Sequence, residues 1–378
     1  MMLKKETNVP YVNLPLQYQQ LKEEILPVIK AILERGDYVL GAEVKEFEQR
    51  FAAYCQSAYA LGVANGTDAL ILCLKALGVG PGDEVVTVPN SFLATTGAIC
   101  ALGARPRFVD VGDDFNIDPA GIERAITTRT KAILPVHLTG RPAAMFPLLE
   151  IARKHSLPVI EDAAQAVGAT YHQQKVGSLG LAGCFSFHPL KNLNAAGDAG
   201  MITTSNKELY EKIIQLRNHG LRTRDECEQW GYNSRLDTIQ AAILNVKLNY
   251  LDQWTARIRE IARYYQEQLG SVVDLPNEKS YEKSVYHTFI IQTDRRDQLQ
   301  QYLSSRGIGT KIHYPLPLHL HPAAKGLLYK EGDFPRAEKQ AKMILSLPIY
   351  PELDDARVQY VVQAIQDFFQ GLPREAHS

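Results

Sequence analysis

Between residues 57 and 204, short β-rich runs alternate with amphipathic stretches, and this alternation restricts the fold more than any other feature of the chain. Strand-like runs at 84–89, 107–111, 132–138, 158–162, 184–188 and 201–204 are separated by helical patterns at 68–77, 119–126, 142–155 and 208–218, the last ending at Gly220. Strands that alternate with helices in this way predict a mainly parallel sheet covered by helices. Several of the runs are continuously apolar, as strands buried on both faces are. With 378 residues, 45% of them hydrophobic, the chain supports a large core, which excludes a disordered or disulfide-stapled protein.

A long helical pattern follows from 236 to 268, with Ile239, Ile243, Val246, Leu248 and Leu251 at helical spacing and a break expected near Asn249. After Leu269 the texture changes to a strand at 284–293, a helix at 296–305 ending at Gly307, and a strand at 309–314. The expected class is therefore α/β. Residues 1–250 form an N-terminal segment and a large domain with a mainly parallel central sheet, and 251–378 a smaller α+β domain. No low-complexity linker divides the two, so a broad interface is expected.

The 41 Lys and Arg balance 42 Asp and Glu, a formal charge of −1, which offers no general field to nucleic acid or to an anionic membrane. Residues 1–8 carry two lysines with no apolar stretch behind them, unlike a secretory signal. The longest nearly apolar run, 92–104, is interrupted by Thr95 and Thr96 and is shorter than the roughly 20 residues that span a bilayer. A cytoplasmic protein is expected. Cys55, Cys73, Cys100, Cys184 and Cys227 are odd in number and widely spaced, which reads as free buried thiols. His319 and His321 imitate a ligand pair, but no carboxylate or thiol lies close in sequence, so no metal site is expected.

Three segments bear on chemistry. In Asn65-Gly66-Thr67-Asp68, Thr67 caps a helix whose free N–H groups form either an ordinary cap or an anion site. The downstream Gly78-Val79-Gly80-Pro81-Gly82 imitates a phosphate loop in composition, but it follows a helix and precedes a strand and therefore reads as a turn. Glu161, Asp162 and Gln165 project from the carboxyl end of a strand, as a capping acid pair or as ligand-facing groups. Lys191 follows the buried strand that includes Ser186 and is bracketed by small residues, where burial would lower its pKa and make it an amine nucleophile. A helix N-terminus with a serine for a phosphate, an acid for a ring nitrogen and a reactive lysine are together the inventory for pyridoxal phosphate.

Ordered motifs cover nearly the whole chain: Val9-Pro10-Tyr11-Val12, Gly36-Asp37-Tyr38-Val39-Leu40-Gly41, Asn65-Gly66-Thr67-Asp68-Ala69-Leu70, Pro135-Val136-His137-Leu138, Arg217-Asn218-His219-Gly220, Gly231-Tyr232-Asn233-Ser234-Arg235-Leu236, His313-Tyr314-Pro315 and Leu347-Pro348-Ile349-Tyr350-Pro351-Glu352-Leu353. Through them the chain resembles the DegT/StrS family of pyridoxal-phosphate sugar aminotransferases, with the fold-type I architecture. The resemblance implies that Lys191 is the Schiff-base lysine, Asp162 the acid paired with the pyridine nitrogen, and Gln165 the amide beside the ring hydroxyl. Gly66, Thr67 and Ser186 match the phosphate cradle, and Phe92 matches the aromatic over one ring face. Asn233 matches an asparagine that reaches the phosphate of the neighbouring subunit, which implies a homodimer with shared sites. Arg235, beside it, matches either a substrate contact or a surface or interface salt bridge, and His313 and Tyr314 occupy the substrate-side motif, as substrate contacts or as structural parts of a proline-rich turn.

The chain departs from the family's pattern at Gly197-Asp198-Ala199-Gly200 and at Ser234, neither of which removes a catalytic group. The expected reaction moves an amino group from L-glutamate, through the pyridoxal and pyridoxamine forms of the cofactor, to a keto group of a nucleotide-linked deoxysugar, a 3-keto-6-deoxyhexose. Alternatives are a 4-keto sugar or a cyclitol ketone as acceptor, a dehydratase or epimerase, and a regulatory descendant that binds the cofactor without turnover. Relatives that dehydrate carry histidine at the lysine position, and Lys191 argues against that branch.

Overall fold

A computed structural model describes residues 8–371; the opening residues 1–7 read above for a leader, and the outer ends of the two expected domains, lie outside the described residues. The central sheet has two parts. Tyr59–Val63 pairs antiparallel with Gly200–Thr204, which pairs antiparallel with Ala182–Ser186, and that strand runs parallel to Ile160–Asp162. The second part, Arg105–Phe108, Glu84–Thr87 and Thr130–Ile133, is parallel throughout. Parallel bridges between Ile133 and Val159 and between Val136 and Asp162 join the parts into one surface, on which Gly200–Thr204 is the antiparallel member. Helices Gly66–Ala76, Leu93–Ala101, Pro119–Ala125, Met145–Lys154 and Lys207–Leu216 connect the strands, and the expected strands and helices are present with ends shifted by a few residues.

Four readings change. Tyr59–Val63 was hidden because Ala60 and Gly62 are weak strand formers; Gly62 is required there, since a Cβ on it would lie 2.7 Å from the Leu236 Cβ. Asn65, not Thr67, caps its helix: the Asn65 Oδ1 accepts from the Asp68 N at 2.8 Å, and asparagine caps as well as threonine does. Cys55, Cys73 and Cys184 are buried, but Cys100 and Cys227 are exposed, because solvent reaches their positions on helix Leu93–Ala101 and in the segment after Lys207–Leu216. The expected strand at 309–314 is irregular. Lys311 exchanges backbone hydrogen bonds with Ser346, after which Pro315 and Pro317 supply no N–H groups to continue a ladder.

The long helical pattern divides, as its spacing suggests, into Thr238–Leu248 and Leu251–Leu269. The second helix packs into a core with Val9, Phe289, Leu345, Ile365 and Phe368, and there Phe289–Gln292 pairs antiparallel with Ile344–Leu347. Helix Pro335–Met343 is fastened to the large sheet instead. Phe334 and Ala337 pack with Phe108 and Val109, and the Asp110 carboxylate accepts from the backbone N–H groups of Arg336 and Ala337, both at 3.0 Å, satisfying two free donors of that helix. No helix among the described residues is long and apolar enough to cross a membrane.

Candidate active site

A cavity of about 330 Å³ opens at the carboxyl ends of the central strands, where parallel sheets place ligands. Gly66, Thr67, Phe92, Asp162 and Gln165 line it, together with Ser186, Lys191, His313 and Tyr314. Two expected residues are elsewhere. Asn233 is exposed and bridges its backbone to Asn218, while Arg235 directs its Nη1 to the Asn218 Oδ1 at 3.1 Å; neither lines the cavity of its own chain.

Strand alternation separates the two acids at the end of Ile160–Asp162. Glu161 faces away from the cavity, accepting from the N–H groups of Gly177, Leu179 and Gly180 at 2.8, 2.9 and 2.7 Å and pairing with the buried His137 at 2.9 Å. Asp162 faces the cavity. Its Oδ2 accepts from the Thr95 Oγ1 at 2.7 Å, the Ser91 and Thr95 hydroxyls lie 2.7 Å apart, and its Oδ1 accepts from the Ala164 N at 3.2 Å. Burial pushes the Asp162 carboxyl above its usual range despite these donors and the nearby Lys191 amine.

Lys191 sits at the middle of a turn whose first bond is its own N–H to the His188 carbonyl at 2.8 Å. Burial lowers its amine to about 8, against the pull of Asp162 in the other direction. About a tenth of the amine is therefore neutral at pH 7, far more than for a solvated lysine, as a nucleophile or proton carrier requires. Gln165 is held at both ends: its Oε1 accepts from the Thr139 N at 2.8 Å and its Nε2 donates to the Tyr314 Oη at 3.1 Å. Phe92, which taken alone would be assigned to the core, is 52% exposed, with its ring 5.7 Å from that of Tyr314. The His313 Nδ1 lies 2.9 Å from the Ser346 Oγ, and burial lowers that imidazole to about 4, so it is neutral.

These residues fit the pyridoxal phosphate that the resemblance implies. A Cβ on Gly66 would come within 2.7 Å of the Ser186 Cβ, so only glycine lets the start of helix Gly66–Ala76 close on Ser186. The result is a cradle of backbone N–H groups and a hydroxyl suited to a phosphate. Asp162 is a buried carboxylate that forms no ion pair among the described residues, the environment a protonated ring nitrogen would complete, and Lys191 supplies the amine.

Sequence reasoning missed Ser91, Thr95, Tyr11, His287 and Thr288, which also face the cavity. Thr95 left a signal: a threonine inside an apolar helical run needs a partner, but its partner lies 67 residues away. His319 does meet a carboxylate, with its Nε2 3.0 Å from the Glu338 Oε1, yet the described residues contain no group of three or more His, Cys, Asp or Glu that could hold a metal. Ser234, one of the departures, is fully buried and accepts from the Ala64 N at 3.2 Å, just before the helix that begins the cradle.

The family model described as the DegT/DnrJ/EryC1/StrS aminotransferase family matches residues 19–366. A pleiotropic regulatory protein of Geobacillus stearothermophilus is 48% identical over 96% of this chain and 99% of its own length. The dTDP-3-amino-3,4,6-trideoxy-alpha-D-glucose transaminase of Streptomyces venezuelae is 43% identical, over 95% of this chain and 96% of its own. Among solved structures, S. venezuelae DesV in complex with a ketimine intermediate superposes with a TM-score of 0.95 at 42% identity, over 97% of this chain and all of that one. Bacillus subtilis NtdA with bound cofactor PMP gives 0.90 at 32% identity, over 97% of this chain and 86% of that one. By sequence and by fold, over nearly its whole length, the chain belongs to the DegT/DnrJ/EryC1/StrS aminotransferase family.

Proposed function

We propose that this protein is a pyridoxal-phosphate-dependent aminotransferase that moves the amino group of L-glutamate to the C3 ketone of a nucleotide-linked deoxysugar, a 3-keto-6-deoxyhexose. The observation that carries the reading is the placement of a lysine amine lowered to about 8 in one cavity with a buried carboxylate and the Gly66–Ser186 cradle. The sugar and its C3 position rest on the transaminase relative, whose name places the amino group at C3 of a dTDP-linked sugar.

Gly66, Thr67 and Ser186 would hold the phosphate, Asp162 would keep the ring nitrogen protonated, and Phe92 and Gln165 would fix the ring's face and edge. Bound pyridoxal phosphate supplies an electron sink for the charge that develops at the donor Cα. The Lys191 Nζ would carry the proton, accepting it at the donor Cα and returning one to the sugar carbon in the acceptor half. His313 and Tyr314 face the substrate. The five free cysteines suit a reducing cytoplasm.

Asn233 serves a neighbouring copy. Asn233 is exposed on a segment pinned by its bridge to Asn218, which suits a residue offered across an interface of a homodimer. Mixing a Lys191→Ala chain with an Asn233→Ala chain tests this. Activity that neither variant has alone is expected, because one site of each mixed pair keeps both residues; no recovery would place Asn233 outside the shared site. The reaction class is tested by incubating the protein with pyridoxal phosphate, L-glutamate and dTDP-linked 3-keto or 4-keto deoxysugars. Formation of 2-oxoglutarate with an aminated 3-keto sugar is expected, and amination of only the 4-keto sugar, or of a cyclitol ketone, would overturn the C3 assignment. The regulatory name of one relative makes a second outcome informative: cofactor binding with no 2-oxoglutarate from any acceptor would mark a regulatory protein.

A further inference from the structure

Behind the turn that carries Lys191 lies a second buried ammonium, which the reaction as proposed leaves without a task. Lys247, on helix Thr238–Leu248, is 7% exposed. Its Nζ donates to the Asn194 Oδ1 at 2.7 Å and to the Gln17 Oε1 at 2.9 Å. Asn194 in turn spans the neck of the turn, donating its Nδ2 to the Pro189 carbonyl at 2.6 Å. The Ala195 N–H closes on the Phe187 carbonyl at 2.8 Å, so the backbone from 187 to 195 returns on itself with Lys191 at its middle.

Gln17 belongs to helix Leu14–Arg35, so the ammonium ties two helices to one turn. The arrangement is costly for a residue that only fills space. Burial lowers the Lys247 amine to about 8, opposed by the field of Glu352, and an apolar side chain of the same length would carry no such desolvation cost. An ammonium offers three donors from one point, and two of them converge here on the side chains that define the turn's neck and its support.

We infer that Lys247 is a positioning residue: by gripping Asn194 it sets the reach and direction of the Lys191 amine into the cavity. This rests on the reading of Lys191 as the residue that links to the cofactor. A displacement of about 1 Å at a reacting group costs up to roughly a hundredfold in rate, so the clamp is tested by how fast Lys191 reacts.

The experiment uses the full chain freed of cofactor, as wild type, Lys247→Met, Lys247→Gln, Asn194→Ala and the Met/Ala double variant. Pyridoxal phosphate is added, the rise and position of the visible band of the lysine-linked cofactor are followed, and the linkage is trapped with borohydride and mapped to its peptide. About a tenfold slower rise is expected in Lys247→Met and in Asn194→Ala, with little further loss in the double variant and partial recovery in Lys247→Gln, which keeps an N–H donor. Should Lys247→Met not fold, Asn194→Ala decides alone. Variants that melt earlier than wild type yet link at the wild-type rate, with an unmoved band, would reduce Lys247 to a packing residue. A wild-type chain that develops no band would instead remove the reading of Lys191, a distinguishable result.

Discussion

At the strand ends, three polar side chains that face the cavity are held in place: Asp162 by Thr95 and the Ala164 N–H, Gln165 by the Thr139 N–H and Tyr314, and Ser186, which accepts from the His188 N–H at 3.3 Å. On the opposite wall, formed by the C-terminal part of the chain, the His287 imidazole has no hydrogen-bonding partner among the described residues, the Thr288 Oγ1 is buried without one, and His313 is tied by a single bond to Ser346. The first wall is set before any ligand arrives, as electrostatic stabilisation requires. The second retains unused donor and acceptor capacity, which a buried polar group keeps only where something else completes it. Chemistry common to a family belongs on the first wall, and recognition of one acceptor on the second.

Substitutions on the two walls should therefore separate by half-reaction. Lys191→Ala should have the largest effect, a loss on the order of a thousandfold or more in both the glutamate and the acceptor halves, since the amine proposed to carry the proton is gone. Next, Asp162→Asn should cost on the order of a hundredfold in both halves, read in single-turnover rates, because a neutral amide would no longer keep the ring nitrogen protonated and the electron sink would weaken. Thr95→Val leaves the Asp162 Oδ2 without its side-chain donor, and about 1–3 kcal/mol of stability should be lost in denaturant melts. Ser186→Ala should weaken cofactor affinity by about tenfold, the value of one hydrogen bond to a charged group, with little change in the rate of the loaded enzyme. His287→Ala should have the smallest effect on the glutamate half and act on the KM for the acceptor. If it instead stops the glutamate half, the division between the walls is wrong.

The pH dependence sharpens the same contrast. Burial lowers Lys191 from 10.5 to about 8, so its amine is mostly protonated below that pH and mostly neutral above it. In the cofactor-free chain, the rate of its reaction with pyridoxal phosphate should rise as pH increases through about 8, while exposed lysines remain protonated. A rise only near 10.5 would mean that the amine is solvated.

How much of this was readable from the chain depended on distance along it. Lys191 and Asp162 follow strands whose apolar runs announce them, and strand ends in parallel sheets are where ligands bind, so local pattern and topology sufficed. Thr95 was noticed only as an interruption of an apolar run, because its partner is 67 residues away. His287 was invisible for a related reason: its place beside Lys191 depends on how the C-terminal part folds back, which no local period encodes. Glu161 and Asp162 are adjacent in sequence, and only the alternation of a strand tells one role from the other. The 309–314 segment misled because its composition suits a strand while the prolines just after it deny the ladder.

The central claim, that Lys191 links to the cofactor and passes an amino group from L-glutamate, is tested most directly by absorbance. The purified chain is mixed with pyridoxal phosphate and then with L-glutamate, beside a Lys191→Ala variant. The account predicts a visible band in the wild type that gives way to the pyridoxamine form on adding glutamate, and no such band in the variant. A wild-type chain without the band, or a variant that keeps it, would contradict the account; a wild-type band that ignores glutamate would contradict the donor.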